Sequence, residues 1–360
     1  MLKSKTLICA IALLAAASAN AADITEFNEP WKSSERALII DGYEYNEFDL
    51  AKIGSDKRIA AFIHKGSDGL PAKYRCTGDA AEVTLCKTKW RRYAVGKELY
   101  QTRRAFAKSM GLKWGAYHLA RPGNPVEQAE HFIEYTNPTD DEAIVLDIED
   151  IDAEKWMSLA DAEIFARHIR MRLGRWPMLY TNGNTAKFIA KNRMQYQILS
   201  RLPLWYARYK PDINNYFPKG NWDSYDIWQF QSQINCNKRR CPYRVKGANV
   251  DIDVNVVDMT VEELRAIWPM DELLEMKPPE RLPIPMARPM FDEPTTMVAA
   301  IDPTGLPHQP TGWYRASASQ TDIYAAYVEA AISRGAKIVE REVDTITTSS
   351  YVQTPINDLF

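Results

Sequence analysis

The sequence predicts an α/β fold: an irregular (β/α) barrel of the TIM type with reduced helices in its second half, followed by a small C-terminal extension. Three observations carry this. Eight short apolar runs recur along the chain, helical patterns separate the earlier ones, and every run ends in polar or aromatic residues. Strands alternating with helices form βαβ units and a parallel sheet, and eight such strands suit closure into a barrel. The strand ends then converge on one rim, where binding and catalytic groups collect.

The runs come in order. Residues 37–40 end at Asp41, and 59–63 are followed by Lys65 and Ser67. Residues 114–119 contain Tyr117 and His118, and 143–148 end in Asp147 and Glu149. Within that fourth run Ile144, Val145 and Leu146 do not alternate with polar residues, which suits a strand covered on both faces. The fifth run, 178–180, brings Tyr180 and Asn182; the sixth, 202–207, brings Trp205 and Arg208. The seventh, 225–230, carries Trp228 and Gln229, and the eighth, 250–257, carries Asp253 and Asn255. Residues 97–110, 125–135 and 159–173 show apolar positions at i, i+3, i+4 spacing and read as helices. Spacers 209–225 and 233–250 are rich in Pro, Asn and Gly and read as loops, so the last helices are missing or reduced. One such strand end, His118 for instance, has an ordinary explanation as a satisfied packing residue. Eight on one rim favour a site.

The chain has 360 residues, 46% of them hydrophobic, enough for one large core. A net charge of −2 gives no sign of a nucleic-acid surface. Lys3 and Lys5, an apolar stretch over 7–17 and the small-residue run Ala19-Asn20-Ala21 read as a signal peptide, residues 1–21, cleaved near Ala21. Losing those two lysines takes the charge to about −4. The stretch is too short to span a bilayer, and no other segment approaches the roughly 18 apolar residues a transmembrane helix needs. The mature product is expected in the periplasm or outside the cell. Of five cysteines, Cys9 falls within the signal peptide and four remain, an even number in an oxidising compartment. Cys76 with Cys86 and Cys236 with Cys241 are the local pairings; the other connectivities stay open. A zinc site competes, without a C-x-x-C pair or a nearby histidine cluster to support it. No metal and no other cofactor is implied.

Asp147 and Glu149 are the chemistry-bearing pair. At i and i+2 of a strand they share one face, with Cα atoms roughly 6–7 Å apart. Two carboxylates at a strand's C-terminal end are what cleavage of a glycosidic bond needs, one to protonate the leaving oxygen and one to steady developing positive charge. A lone D-x-E is more often a helix cap or a surface ion pair, and only its convergence with the other strand ends lifts it above that.

The set Ile40-Asp41, Lys65-Gly-Ser-Asp68, Gly115-Ala-Tyr-His118, Asp147-Ile-Glu149, Tyr180-Thr-Asn182, Leu204-Trp-Tyr-Ala-Arg208, Trp228-Gln229 and Ile252-Asp-Val-Asn255 resembles glycoside hydrolase family 25, the Chalaropsis-type lysozymes. The motifs run in the family's order from about Ala37 to Trp268. The resemblance implies an irregular β/α barrel and an N-acetylmuramidase that cuts the β-1,4 bond between N-acetylmuramic acid and N-acetylglucosamine in peptidoglycan. It implies Glu149 as general acid/base, Asp147 as the partner that holds the acetamido group, and Asp41 and Asp253 as flanking acids. Tyr117, Tyr180, Trp205 and Trp228 are then expected as sugar platforms. Lys65, His118, Asn182, Arg208, Gln229 and Asn255 complete the expected substrate-binding set. There are departures. The family's first strand usually continues Asp-x-Ser, then an aromatic and Gln, where this chain reads Asp41-Gly-Tyr-Glu-Tyr-Asn46; the usual Thr-Glu becomes Ser67-Asp68; and an insertion over 69–96 carries Cys76 and Cys86 and is expected to overhang the rim.

Two other classes stand beside this reading: a hydrolase of chitin-like glycans, and a non-catalytic glycan-binding or scaffold protein of the envelope. Against the first, the longer acidic D-x-x-D-x-D-x-E run is absent; against the second, four converging acids are costly to keep without a use.

The expected domain spans 33–272. Nine of the 21 prolines fall between Pro278 and Pro310, so 273–310 reads as a Pro-rich linker. Residues 311–360 form a small segment with a helix over 321–335 and a strand over 337–343, a candidate contact for an envelope protein.

Overall fold

The computed structural model describes residues 24–278. The expected signal peptide, the proline-rich stretch from 279 and the helix and strand expected near the C-terminus lie outside the described residues.

Eight strands close into one barrel in sequence order: β1 (Leu38–Gly42), β2 (Ile59–Asp68), β3 (Lys113–Leu119), β4 (Glu142–Asp147), β5 (Met178–Asn182), β6 (Leu204–Ala207), β7 (Ile227–Gln231) and β8 (Asp253–Val256). The first seven are parallel. β8 runs antiparallel to both β7 and β1, which corrects the all-parallel expectation. A parallel return requires a crossover of a dozen or more residues, usually a helix, to carry the chain to the barrel floor. Residues 232–252 contain no helix, so the chain stays at the rim and β8 enters from there. Asp253 is therefore the first residue of its strand, and it still lies at the rim, paired with Asp41.

The outer layer is built from α1 (Leu50–Ile53), α2 (Ala80–Ser109), α3 (Pro125–Thr136), α4 (Leu159–Leu173), α5 (Gly183–Lys191) and α6 (Val261–Ile267). α3 and α4 form where periodicity calls for them; α5, only nine residues long, was not anticipated. No helix follows β6 or β7, as the spacer composition indicates. That flank is covered by residues ahead of β1: Trp31 stacks on Phe230 with centroids 4.2 Å apart, Phe27 meets Phe217 at 5.2 Å, and Asn28 bridges to Asp212.

α2 departs most from expectation. Only its second half carries an apolar stripe, yet the helix begins at Ala80, started by a reciprocal cap between Asp79 and Glu82. The Cys76–Cys86 disulfide clips the preceding loop to its first turns, so the insertion is mostly helix rather than loop. Cys236–Cys241 is also a disulfide, which commits the four sulfurs in the local pairing. Residues just past α6 lie against the barrel: the Leu274 amide donates to the Arg201 carbonyl at 2.8 Å, and the Lys277 amide to Asn221 Oδ1 at 3.1 Å.

Period-two alternation sorts the strand side chains into two layers. Ile39, Ile63, Val145, Met178, Trp205 and Ile227 fill the lumen, with Tyr117 and Tyr180 against them. Leu38, Ile40, Phe62, Leu146, Leu179, Tyr206 and Trp228 face outward under the helices and loops.

Candidate active site

The lumen-facing residues at the rim define the site. Asp41 on β1 pairs in register with Asp253 on β8, and Asp147 on β4 with Tyr180 on β5. Past the end of β4, the Ile148 amide still donates to the Tyr180 carbonyl at 3.0 Å. Glu149 follows, its carbonyl oxygen accepting from Asn182 Nδ2 and, at 3.3 Å, from Thr185 Oγ1. The start of α5 thus clamps the backbone that carries Glu149.

Below the acids lies a polar network. The Trp205 indole N–H donates to Asn255 Oδ1 at 2.6 Å, and Asn255 Nδ2 donates to Asp41 Oδ2 at 2.6 Å. Gln229 Nε2 donates to the same carboxylate at 3.2 Å, while its Oε1 accepts from Tyr180 at 2.8 Å and Tyr209 at 2.6 Å. Asp41 is fixed from both sides by side-chain amides.

The acids share a field that resists ionisation. Burial is the largest influence on all four, and each has its pKa pushed up. Asp41 is raised to about 6 despite its hydrogen bonds from Asn255 and Gln229. Asp147 and Asp253 rise well above the ordinary range, by burial and then by neighbouring charge, chiefly Glu149 for the first and Asp41 for the second. Glu149 rises by burial, with the Arg121 guanidinium pulling the other way. Like charges at this density oppose one another's ionisation. The nearby cations are each engaged elsewhere, Lys65 by Glu44 at 2.8 Å and Arg121 by Asp68 at 2.9 Å, and Arg121 only partly offsets the cluster by lowering Asp147 and Glu149. One oxygen of Asp147, Oδ1, is buried without a hydrogen-bond partner.

Asp41, Asp147, Glu149 and Asp253 therefore meet, with Tyr117 and Tyr180 beside them. Tyr117 feels the charges of Asp147, Asp41, Glu44 and Asp253. The remaining expected residues are placed differently. His118 and Trp228 face away from the lumen. His118 is fully buried, bonded to Ser67 Oγ at 2.8 Å and Gln128 Oε1 at 3.0 Å, and stacked on Phe165. Trp228 packs against Trp31 and Tyr225, and its N–H donates to the Arg208 carbonyl. The reason is the pleat: adjacent residues of a strand cannot both face the barrel interior. Trp205 faces inward but is buried beneath the acids, edge-on to Tyr180, so it is a floor and not an open platform. Gln229 and Asn255 are equally buried and engaged in the network. Asn182 caps α5 through its Oδ1, Arg208 lies over the Tyr216 ring, and Lys65 is held by Glu44. Sequence reasoning missed Tyr209, Glu44 and Arg121. All three follow a strand end by two residues, and that position was the available signal.

Residues 93–238 match the family model for glycosyl hydrolases family 25, a stretch that includes Asp147 and Glu149. No curated protein sequence matches the chain. Among solved structures, the chain is similar to a muramidase from Acremonium alcalophilum at 19% identity and TM-score 0.46, covering 64% of this chain and 98% of that one. A bacterial lysozyme from Streptomyces coelicolor is similar at 18% identity and TM-score 0.43, over 65% of this chain and 98% of that one. A family 25 lysozyme from Aspergillus fumigatus is similar at 18% and 0.44, over 64% and 98%. The match to the family model covers the central stretch of the chain, from the middle of α2 through β7 and including the Asp147 and Glu149 pair.

Proposed function

We propose that this chain is a family 25 glycoside hydrolase, an N-acetylmuramidase acting on peptidoglycan, with Glu149 as its general acid/base and Asp147 as its assistant. The observation that carries the roles is the unpartnered Asp147 Oδ1 beside a raised Glu149, within a cluster of acids that oppose one another's ionisation. A buried acceptor with no donor is costly, and the N–H of a substrate acetamido group would satisfy it. Held there, the acetamido oxygen forms a bond to the anomeric carbon while the glycosidic C–O bond breaks, and the leaving oxygen takes its proton from Glu149. Glu149, now ionised, then takes a proton from water as that water opens the cyclic intermediate, and the anomeric configuration is kept. This is a substrate-assisted route, outside the two standard carboxylate schemes. Asp41 and Asp253 add negative potential near the positive intermediate, and Tyr117 and Tyr180 offer ring faces to sugar. Two disulfides fit a protein released into an oxidising compartment, in keeping with an N-terminal signal cleaved near Ala21.

The test is mass spectrometry of fragments released from purified peptidoglycan. Products ending in a reducing N-acetylmuramic acid support the reading. Reducing N-acetylglucosamine ends, no release, or cleavage of chitin oligomers alone would refute it.

A further inference from the structure

α2 is longer than the barrel it covers. Its 30 residues make about 45 Å of helix, whereas the 7 residues of β3, into which it leads, make about 23 Å. The helix runs from the rim down to the start of β3, so on the order of 20 Å stands above the rim. Burial agrees, since its buried residues, Tyr100 and Ala107, both lie in the second half. Where the helix passes the rim it is fastened: Arg92 pairs with Glu44 at 3.5 Å, and Tyr93 stacks on His131.

The projecting part is strongly cationic. Residues 73–91, ahead of that fastening, hold five Lys and Arg against two acids, Asp79 and Glu82, a surplus of three on a chain whose net charge is −2. Lys73, Lys87, Lys89 and Arg91 have no ion-pair partner among the described residues. Large apolar side chains stand exposed among them, Tyr74 at 73%, Leu85 at 56% and Trp90 at 40%. The cations do not form one stripe. Lys87 and Arg91 share a face, while Lys89, two residues from Lys87, points elsewhere. A lipid surface would meet one face of a helix and favours cations gathered there. A polymer mesh reaches a projection from all sides.

We propose that this projection is a binding ridge for the carboxylate-bearing strands of the peptidoglycan mesh, holding them beside the barrel mouth; this rests on the muramidase reading. Attraction of this kind is long-ranged and salt-dependent, and it acts on capture rather than on the chemical step.

The experiment is co-sedimentation of the full-length chain, carrying Glu149→Gln to prevent digestion, with purified peptidoglycan sacculi. The ridge variant is Lys87→Glu/Lys89→Glu/Arg91→Glu, with the milder Gln series as a second set. Expected is about a tenfold loss of affinity near 0.05 M salt that vanishes near 0.5 M, where the Debye length is only a few ångströms. On sacculi whose carboxylates are capped as amides, the unreversed chain should fall to the level of the variant. In the active enzyme the same changes should raise KM and leave kcat alone. Unchanged binding by both series, while the unsubstituted enzyme digests sacculi, overturns the ridge and spares the muramidase reading. Tighter binding to phosphatidylglycerol vesicles than to sacculi overturns it in favour of a lipid surface. An unsubstituted enzyme that neither binds nor digests sacculi overturns the underlying reading itself.

Discussion

One strand presents two buried carboxylates in opposite conditions. β4 begins with Glu142, 1% exposed, and ends with Asp147, 4% exposed. Glu142 is gripped by Arg104 through Nε and Nη2, each at 2.7 Å, by Lys108 at 2.9 Å and by the Thr139 amide at 3.2 Å. Asp147 makes no ion pair and feels only the more distant Arg121 guanidinium, has one oxygen without a partner, and has three other acids nearby. The first arrangement is what a buried charge needs to be tolerated in a fold. The second is a standing cost, and costs of that kind gather where a substrate is to supply the missing partner. The same residue chemistry, five positions apart, serves structure at the barrel floor and reaction at its mouth.

The comparison can be broken in three ways. The largest effect is expected at the mouth. Glu149→Gln should reduce turnover on the order of 10²–10⁴-fold while leaving the melting transition in place; near-normal turnover would remove Glu149 from its role. In the unsubstituted enzyme the alkaline limb of the pH–rate profile should lie above the ordinary glutamate value, because Glu149 works only while protonated and burial raises its pKa. Arg121→Gln should move that limb to higher pH, since the guanidinium is what pulls Glu149 down.

At the floor the ranking of effects should reverse. Glu142→Ala leaves Arg104 and Lys108 facing a hole and should cost about 3–5 kcal/mol in denaturant unfolding, while the molecules still folded keep their turnover. A drop in turnover per folded molecule would show that the two ends of β4 are coupled.

The smallest effect is the most discriminating. Asp147→Asn should abolish most activity yet stabilise the fold at neutral pH, by about 1–2 kcal/mol. The sign follows from the raised pKa values. A carboxyl whose folded pKa exceeds its unfolded value favours folding fully below the unfolded value, near pH 4, and that stability is lost as pH rises through the folded value, which for Asp147 lies well above the ordinary carboxylate range. The gain in melting temperature should therefore be present at pH 7 and shrink toward pH 4. A variant less stable than its parent at pH 7 would mean that Asp147 is structurally satisfied after all.

The periodic helices α3 and α4, the order of the eight strands, the helix-poor second half and the D-x-E motif could all be read along the chain, because burial on a fixed period leaves its mark in local sequence. The local cysteine pairings were favoured there but not settled. Other features carry no local mark. The direction of β8 depends on whether a loop returns to the floor, and residues 232–252 do not. The choice of Tyr117 over His118, or of Gln229 over Trp228, depends on barrel register; sequence requires only that one of each adjacent pair turn outward. The first half of α2 has no buried stripe to announce it, and its start rests on a cap and a disulfide. Sequence alone determined which acids stand at strand ends. Only closure of the barrel decided which of them meet and which stay unpaired, because partners such as Asp41 with Asn255, or Lys65 with Glu44, are set by three-dimensional neighbours.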